Sequence, residues 1–108
     1  MILGYKELYG MGIIHRDLKL SNLFISNGKI KLADFGFAIR EDKCNLSLHY
    51  NVGSPKYMPP ECLKYNKYSF KSDVWAMGVI AFELIYGYAP WKNKVESKLY
   101  DEILSTPV

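Results

Sequence analysis

The chain has 108 residues, enough for one small domain, and 49% of them are hydrophobic, which suffices for a modest core. A net charge of +3 carried by scattered lysines argues against nucleic-acid binding, and two cysteines without a metal-binding spacing exclude a disulfide framework and a zinc site. The longest uncharged apolar run, residues 74–82, is far shorter than the roughly 20 residues that cross a bilayer, and no signal peptide precedes it, so we expect an intracellular, cytoplasmic protein without membrane contact.

The first half of the chain predicts one helix and one hairpin. Residues 1–11 have the spacing of an amphipathic helix, and Gly10 and Gly12 interrupt the pattern. Residues 23–26 and 29–32 favour β-strands, and the Asn27-Gly28 pair between them is the strongest short signal for a hairpin turn. We expect this hairpin to bring the two polar stretches on either side of it to one cleft.

An irregular segment and an amphipathic helix are predicted further along the chain. Residues 37–60 lack a clear period and contain several glycines and prolines, so regular structure is not expected there. A long irregular stretch inside a compact domain is usually functional. Residues 95–104 predict an amphipathic helix with Leu99 and Ile103 on its apolar face.

Between these two segments lies the most apolar helix of the chain. Ser72 or Asp73 is the predicted N-cap, and Gly87 is predicted to close the helix just after residues 85–86. Apolar residues occupy nearly every face, which predicts a helix that is buried all round.

The stretch His15–Asn22 combines a carboxylate, two cations and an amide directly after two isoleucines. Such a mixture suits chemistry on a phosphate: a base for a hydroxyl, a cation for phosphoryl oxygens and an amide oxygen for a metal. Taken singly, each residue is more often a surface ion pair, a packed histidine or a turn. The joint spacing with Asp34-Phe35-Gly36, across the hairpin, instead resembles the catalytic loop and metal-binding loop of eukaryotic protein kinases.

The resemblance implies a task for each polar residue. Asp17 accepts or orients the proton of a substrate hydroxyl, and Lys19 balances charge on the transferred phosphoryl group. Asn22 and Asp34 hold the two Mg²⁺ ions that accompany ATP, and Phe24 lies beneath the adenine ring. The implied catalytic residues are thus Asp17, Lys19 and Asn22, and the implied ATP-binding residues are Lys19, Asn22, Phe24 and Asp34.

Other matched positions imply packing and turning roles. His15 and Phe35 are implied to be internal packing residues, and Gly36 to let the backbone turn tightly after Asp34. Asp73-Val74-Trp75 resembles the start of the family's central buried helix, whose aspartate is tied to the backbone of the catalytic loop. Asp73 and Trp75 are therefore implied to be structural.

Residues 53–61, Gly-Ser-Pro-Lys-Tyr-Met-Pro-Pro-Glu, resemble the substrate-docking loop and the motif that closes the activation segment. Ser54, Pro55 and Tyr57 are implied to dock the substrate. Glu61 is implied to be structural and to pair with an arginine that the chain stops before supplying. Proline at position 59 departs from the alanine that is usual there.

Specificity and regulation are also implied. Lys19, two residues after Asp17, and Ser54, after Gly53, resemble the residues found at these positions in serine/threonine kinases and not those of tyrosine kinases. Arg16 resembles the arginine of kinases that are switched on when it binds a phosphate in the activation loop. Tyr50 stands where threonine is the usual phosphoacceptor, and Ser47 is the nearest other hydroxyl, so activation is predicted to depend on Ser47 or Tyr50.

The resemblance covers only the middle of a kinase domain, because the glycine-rich loop, the strand lysine, its glutamate partner and the hinge would precede Met1. We expect residues 1–108 to form an α+β, mainly helical fold: a truncated large C-lobe with one small β-hairpin and a long activation segment, running to the helix after the central buried helix.

The expected function is transfer of the ATP γ-phosphoryl group to a serine or threonine of a protein substrate, with the 108-residue chain inactive alone. A partner is expected to cover the face where the small N-lobe would pack. Two alternatives remain open: a non-catalytic, kinase-like binding module that docks to other proteins, and an incomplete gene model.

Overall fold

The computed structural model describes residues 2–43 and 52–106, and this part of the chain has an α+β fold with four α-helices and two small antiparallel sheets. No helix in these ranges is long and apolar enough to cross a membrane. The helices are α1 (Ile2–Gly10), α2 (Pro60–Tyr65), α3 (Phe70–Tyr86) and α4 (Glu96–Ser105), and the strands are β1 (Ile13–Ile14), β2 (Leu23–Ser26), β3 (Lys29–Leu32) and β4 (Ile39–Arg40).

The predicted hairpin is confirmed. Strand β2 pairs antiparallel with β3, with Leu23 opposite Leu32 and Ser26 opposite Lys29. Asn27 and Gly28 both have positive φ, 53° and 73°, which is the backbone that a two-residue turn of the favoured twist requires.

A second sheet was not predicted. Strand β1 pairs antiparallel with β4, so that Ile13 lies opposite Arg40 and Ile14 opposite Ile39. Each strand has two residues, too few to show an alternating pattern. The pair joins the residues just before the polar stretch 15–22 to those just after Asp34-Phe35-Gly36, and so closes the loop that contains both.

Helix α3 begins earlier than predicted. Its N-cap is Ser69, whose Oγ accepts a hydrogen bond from the Lys71 backbone N–H at 3.1 Å, while the Ser69 N–H donates to Ser72 Oγ at 3.1 Å. The prediction that Ser72 or Asp73 caps this helix is wrong, because Ser72 is the return partner of a capping box. Gly87 closes the helix with φ 79°, as predicted.

The prediction that α3 is buried all round is also wrong within the described residues. Val74, Leu84 and Ile85 are 52%, 64% and 73% exposed. Apolar composition shows that a helix favours burial, but the packing elements cover only one side of it here. The buried positions are Ser72, Asp73, Ala76, Val79 and Ile80, which follow the 3–4 residue spacing of one helical face.

The main core forms where α1, the loop after β1 and the segment before α2 meet α3. It includes Tyr5 and Leu8 from α1, Leu18 from the loop, and Val79 and Ile80 from α3. A second cluster of Val52, Met58, Cys62 and Tyr68 lies beside it. Helix α4 packs against α2 with Leu99 buried, and its bounds agree with the prediction to within one residue.

Candidate functional site

The candidate site is built around the buried carboxylate of Asp73, near the start of α3. Its Oδ2 accepts hydrogen bonds from the His15 backbone N–H at 2.7 Å and from Tyr5 Oη at 2.9 Å. Its Oδ1 accepts one from the Arg16 backbone N–H at 3.0 Å. One side chain therefore connects α1, residues 15–22 (the polar loop) and α3. The kinase resemblance implies this contact for Asp73.

Burial and hydrogen bonding act in opposite directions on this carboxyl group. Burial raises the pKa of Asp73 above its usual 3.8, whereas the hydrogen bonds from His15, Arg16 and Tyr5 favour the ionised form. Burial, and secondly the charge of Asp73, raise the pKa of Tyr5. The Tyr5 hydroxyl therefore keeps its proton and acts as the donor.

His15 fixes the local shape of the loop with its ring. The ring is fully buried, and its Nδ1 accepts a hydrogen bond from the Asp17 backbone N–H at 3.1 Å. Its Nε2 lies 3.0 Å from the Ala33 carbonyl oxygen, which can only accept. With these two partners, the ring is the tautomer that carries its proton on Nε2. The bond to Ala33 also connects the polar loop to the residue before Asp34.

The side chains of Asp17, Lys19 and Asn22 converge next to Ser54. Asn22 Nδ2 donates to the Asp17 carbonyl oxygen at 2.8 Å and to Asp17 Oδ2 at 3.3 Å. Lys19 Nζ lies 3.9 Å from Asp17 Oδ2 and donates to Ser54 Oγ at 3.3 Å. Within the described residues, the buried Asp17 Oδ1 has no hydrogen-bond partner. The loop thus presents a fixed carboxylate beside a cation.

Asp34 follows the hairpin and is exposed, with φ 59°. The Gly36 backbone N–H donates to Asp34 Oδ1 at 3.3 Å. A Cβ at Gly36 would lie 3.2 Å from that same oxygen. The left-handed backbone is at Asp34 and not at Gly36. Gly36 lies in a tight turn that the hydrogen bond from the Ala38 N–H to the Phe35 carbonyl oxygen closes at 3.0 Å, and it leaves room for the Asp34 carboxylate.

The neighbouring aromatic residue is less buried than expected. The Phe35 ring lies 5.2 Å from the His15 ring but is 50% exposed, whereas His15 is fully buried. His15 is thus packed inside the described residues, whereas Phe35 contacts the His15 ring and keeps half of its surface exposed.

Residues 52–54 lie directly against the polar loop. Gly53 has φ 90°, and a Cβ at this position would overlap the Arg16 carbonyl oxygen. The Tyr68 hydroxyl accepts from the Val52 N–H at 2.8 Å and donates to the Val52 carbonyl oxygen at 2.9 Å. Burial raises the pKa of Tyr68 to about 12, so the hydroxyl keeps the proton that it donates. This pair of bonds holds the segment in place.

Tyr57 and Lys56 both attach to Glu83 of α3. The Tyr57 hydroxyl donates to Glu83 Oε1 at 2.5 Å, and Lys56 Nζ lies 2.7 Å from Glu83 Oε2. The hydrogen bond to Glu83 raises the pKa of Lys56, and burial, followed by the same glutamate, raises the pKa of Tyr57. Tyr57 is buried, so it is not placed to contact a substrate directly. Its bond to Glu83 instead attaches residues 55–57 to α3.

Arg16 lies at the edge of the site with φ 68°. Its Nε donates to the Phe37 carbonyl oxygen at 2.6 Å, and its guanidinium carbon is 5.4 Å from the centre of the Tyr68 ring. Its buried Nη1 has no hydrogen-bond partner in the part of the chain that the structure describes. The predicted regulatory residues Ser47 and Tyr50 lie outside the described residues.

The remaining predicted residues occupy the margins of the site. Phe24 is exposed on β2, opposite Lys31. Trp75 stacks on Trp91, with ring centres 5.4 Å apart. Glu61 lies half-buried in the first turn of α2, and Pro55 starts the short 3₁₀ turn Pro55–Tyr57.

The oxygen donors at the site fit Mg²⁺. Asn22 uses its Nδ2 on Asp17, which leaves its amide oxygen as a hard donor, and Asp34 contributes a carboxylate. Among residues 2–43 and 52–106, no group of three or more His, Cys, Asp or Glu side chains can hold a metal alone. Mg²⁺ is commonly bound by one or two protein ligands together with substrate phosphates, so two such donors suffice.

Three participants in this site were missed by sequence reasoning: Lys56, Tyr68 and Glu83. Glu83 had a usable signal, because it is the only acid after Asp73 in the apolar helix α3. A lone acid in such a helix needs a partner. The Tyr68 contact with Val52 had no local signal, because it joins residues 16 positions apart.

The fold and the site geometry agree with the class of protein that the sequence match shows, the protein kinase domain family. That family matches residues 1–107. The chain therefore belongs to the protein kinase domain family, and the polar loop, the hairpin and residues 53–61, called the docking segment below for their proposed role, lie within the matched range.

Three curated relatives of the chain illustrate the similarity. The serine/threonine-protein kinase STE20 of Yarrowia lipolytica is 39% identical over 94 residues, which cover 86% of this chain and 8% of that protein. The serine/threonine-protein kinase shk1/pak1 of Schizosaccharomyces pombe is 40% identical over 92 residues, 84% of this chain and 14% of that protein. The protein kinase C delta type of Rattus norvegicus is 38% identical over 109 residues, 99% of this chain and 16% of that protein. The chain thus spans less than a fifth of the length of these relatives.

The close approach of Gly53 to Arg16 gives a prediction for stability. We expect Gly53→Ala to lower the free energy of unfolding of the chain by about 2–3 kcal/mol, because alanine disfavours this φ and its Cβ overlaps the Arg16 carbonyl. Urea unfolding measures the change.

Gly78→Ala is the matched control, because Gly78 is an exposed position inside α3 with open space around its Cβ. Alanine there should raise the free energy of unfolding by roughly 0.5–1 kcal/mol. Equal effects of the two substitutions would contradict the contact between Gly53 and the loop.

Proposed function

We propose that this chain is the catalytic part of the large C-lobe of a protein serine/threonine kinase, spanning residues 1–108 from the catalytic loop to the helix after the central helix. The observation that carries the proposal is the convergence of Lys19 on both Asp17 and Ser54, at 3.9 Å and 3.3 Å. It joins the residue proposed to act on the hydroxyl to the segment proposed to bind the substrate. The names of the relatives support the serine/threonine class.

Asp17 is the proposed base. Its carboxylate is 6% exposed, and Asn22 and Lys19 both approach Oδ2, so that oxygen is held in one orientation. Oδ1 is buried and has no hydrogen-bond partner within the described residues. The Asp17 carboxylate is proposed to accept the proton of the substrate hydroxyl as that oxygen attacks phosphorus and ADP leaves. A carboxylate held this way orients the hydroxyl before any proton moves.

The other residues of the site are proposed to bind the nucleotide and its metal ions. When bound, ATP with Mg²⁺ supplies the phosphoryl group and the charge neutralisation that phosphoryl transfer requires. The amide oxygen of Asn22 and the carboxylate of Asp34 are the proposed metal ligands. Lys19 is proposed to balance charge on the transferred group, and Phe24 to contact the adenine.

The apolar surface of the hairpin is the proposed contact for the rest of the kinase domain. Ile25 and Ile30 lie opposite each other on the two paired strands and are 81% and 46% exposed, and Phe24, on the other face of the hairpin, is 55% exposed. Exposed apolar side chains that lie opposite each other on one face of a sheet are typical of an interaction surface. We propose that a nucleotide-binding N-lobe, supplied by the rest of the protein or by a partner, packs on this surface.

The proposed base is tested in the full-length protein. We expect Asp17→Asn to lower kcat for phosphorylation of a protein substrate by roughly 10²–10⁴-fold, because the amide cannot accept the hydroxyl proton. Transfer of ³²P from ATP measures the rate.

Asp101→Asn, an exposed aspartate in α4, is the control and should leave kcat unchanged. Equal rates for wild type and Asp17→Asn would refute the assignment of the base. A wild-type protein that folds but transfers no phosphate would favour the non-catalytic binding module.

Regulation by the activation segment gives a further prediction. Because the buried Nη1 of Arg16 has no hydrogen-bond partner within residues 2–43 and 52–106, we propose that it binds a phosphate on Ser47 or Tyr50. A full-length Ser47→Ala, Tyr50→Phe double variant should then lose most of the activity that the phosphorylated wild type has. Unchanged kcat in the double variant would contradict this mode of activation.

A further inference from the structure

The docking segment leads into an open groove that carries lysines. The groove has a volume of about 400 Å³, and its lining contains three lysines but, within the described residues, neither aspartate nor glutamate. The residues that matter for its chemistry are Pro55, Lys56, Trp91, Lys92, Lys94 and Leu99. Its lining therefore combines positive charge with apolar side chains.

The groove begins next to the proposed catalytic residues. Ser54 accepts the hydrogen bond from Lys19, and Pro55 directly after it lines the groove. Consecutive Cα atoms are about 3.8 Å apart, so Lys56 lies within about 8 Å of Ser54. An extended peptide advances about 3.3 Å per residue, so a substrate with its hydroxyl at Asp17 reaches this groove within a few residues.

Glu83, the acid that approaches the docking segment, is already occupied. Tyr57 donates to its Oε1 at 2.5 Å, and Lys56 Nζ lies 2.7 Å from its Oε2. The Glu83 side chain is only 8% exposed. A basic side chain of a substrate would have to displace Lys56 to pair with this carboxylate.

The second acid near the groove is engaged as well. Glu102 Oε1 accepts hydrogen bonds from the backbone N–H groups of Lys92 and Asn93, at 3.0 Å and 3.1 Å. It therefore holds the segment that presents Lys92 and Lys94. Lys92 Nζ rests 5.1 Å from the centre of the Tyr88 ring. Three lysines face two carboxylates, and both carboxylates point at donors of the protein, so the open side keeps an excess of positive charge.

We propose that this groove selects peptide substrates with acidic side chains a few residues from the phosphorylated hydroxyl, a specificity that rests on the proposed kinase function. Lys92 and Lys94 supply the exposed charges. Pro55 and Trp91 supply an apolar surface for the stem of the peptide. Lys56 is already paired with Glu83, so this carboxylate is not available to a basic side chain of a substrate.

The test compares three serine peptides in the full-length protein, with flanking glutamates, glutamines or lysines. We expect the highest kcat/KM for the glutamate peptide. The Lys92→Gln, Lys94→Gln double variant should raise KM for that peptide roughly three- to tenfold, as expected for two exposed ion pairs, with kcat and the glutamine peptide unchanged.

Lys71→Gln is the matched control. Lys71 is exposed in the first turn of α3, about 18 Å along the helix axis from Glu83. It should leave KM for all three peptides unchanged. Equal kcat/KM for the three peptides, or the highest value for the lysine peptide, would overturn the proposed specificity.

A protein that phosphorylates none of the peptides would contradict the proposed kinase function and still leave the groove testable. Fluorescence anisotropy of the labelled glutamate peptide then decides. Salt-sensitive binding that the double variant loses supports the acidic specificity. Equal binding by wild type and double variant, or no binding by either, refutes it.

Discussion

The hydrogen bonds of Asp73 are the constraint on which the rest of the site depends. Its two oxygens receive the backbone N–H groups of His15 and Arg16 and the hydroxyl of Tyr5. Because burial raises the pKa of Asp73, this group's own contribution to the free energy of unfolding is greatest below its ordinary value of 3.8, and it is lost as the pH rises through the raised value. Burial thus opposes the ionised carboxylate, while the three hydrogen bonds that the carboxylate accepts hold the loop in place.

Once the loop is fixed, the other contacts follow from it. His15 links the loop to Ala33 and so to the residue before Asp34. Gly53 packs on the Arg16 carbonyl, which brings Ser54 to Lys19. The residues proposed for chemistry and those proposed for docking are therefore attached to the same loop, and a shift of its backbone would move both groups.

The sequence predicted those features that depend on neighbouring residues. The hairpin followed from Asn27-Gly28, the end of α3 from Gly87, and the group of Asp17, Lys19 and Asn22 from their spacing. Features that depend on distant partners were missed or misjudged. The two-residue sheet, the Tyr68 contact and the exposed face of α3 all depend on which segments meet, and neither periodicity nor local propensity contains that information.

Amide hydrogen exchange at His15 and Arg16 tests the central role of Asp73 most directly. Asp73→Asn turns one acceptor oxygen into a donor, so exchange at one or both amides should accelerate, and the free energy of unfolding should fall by about 1–3 kcal/mol. Tyr5→Phe removes only the third bond and should leave both amides protected. Unchanged protection of His15 and Arg16 in Asp73→Asn would contradict the account.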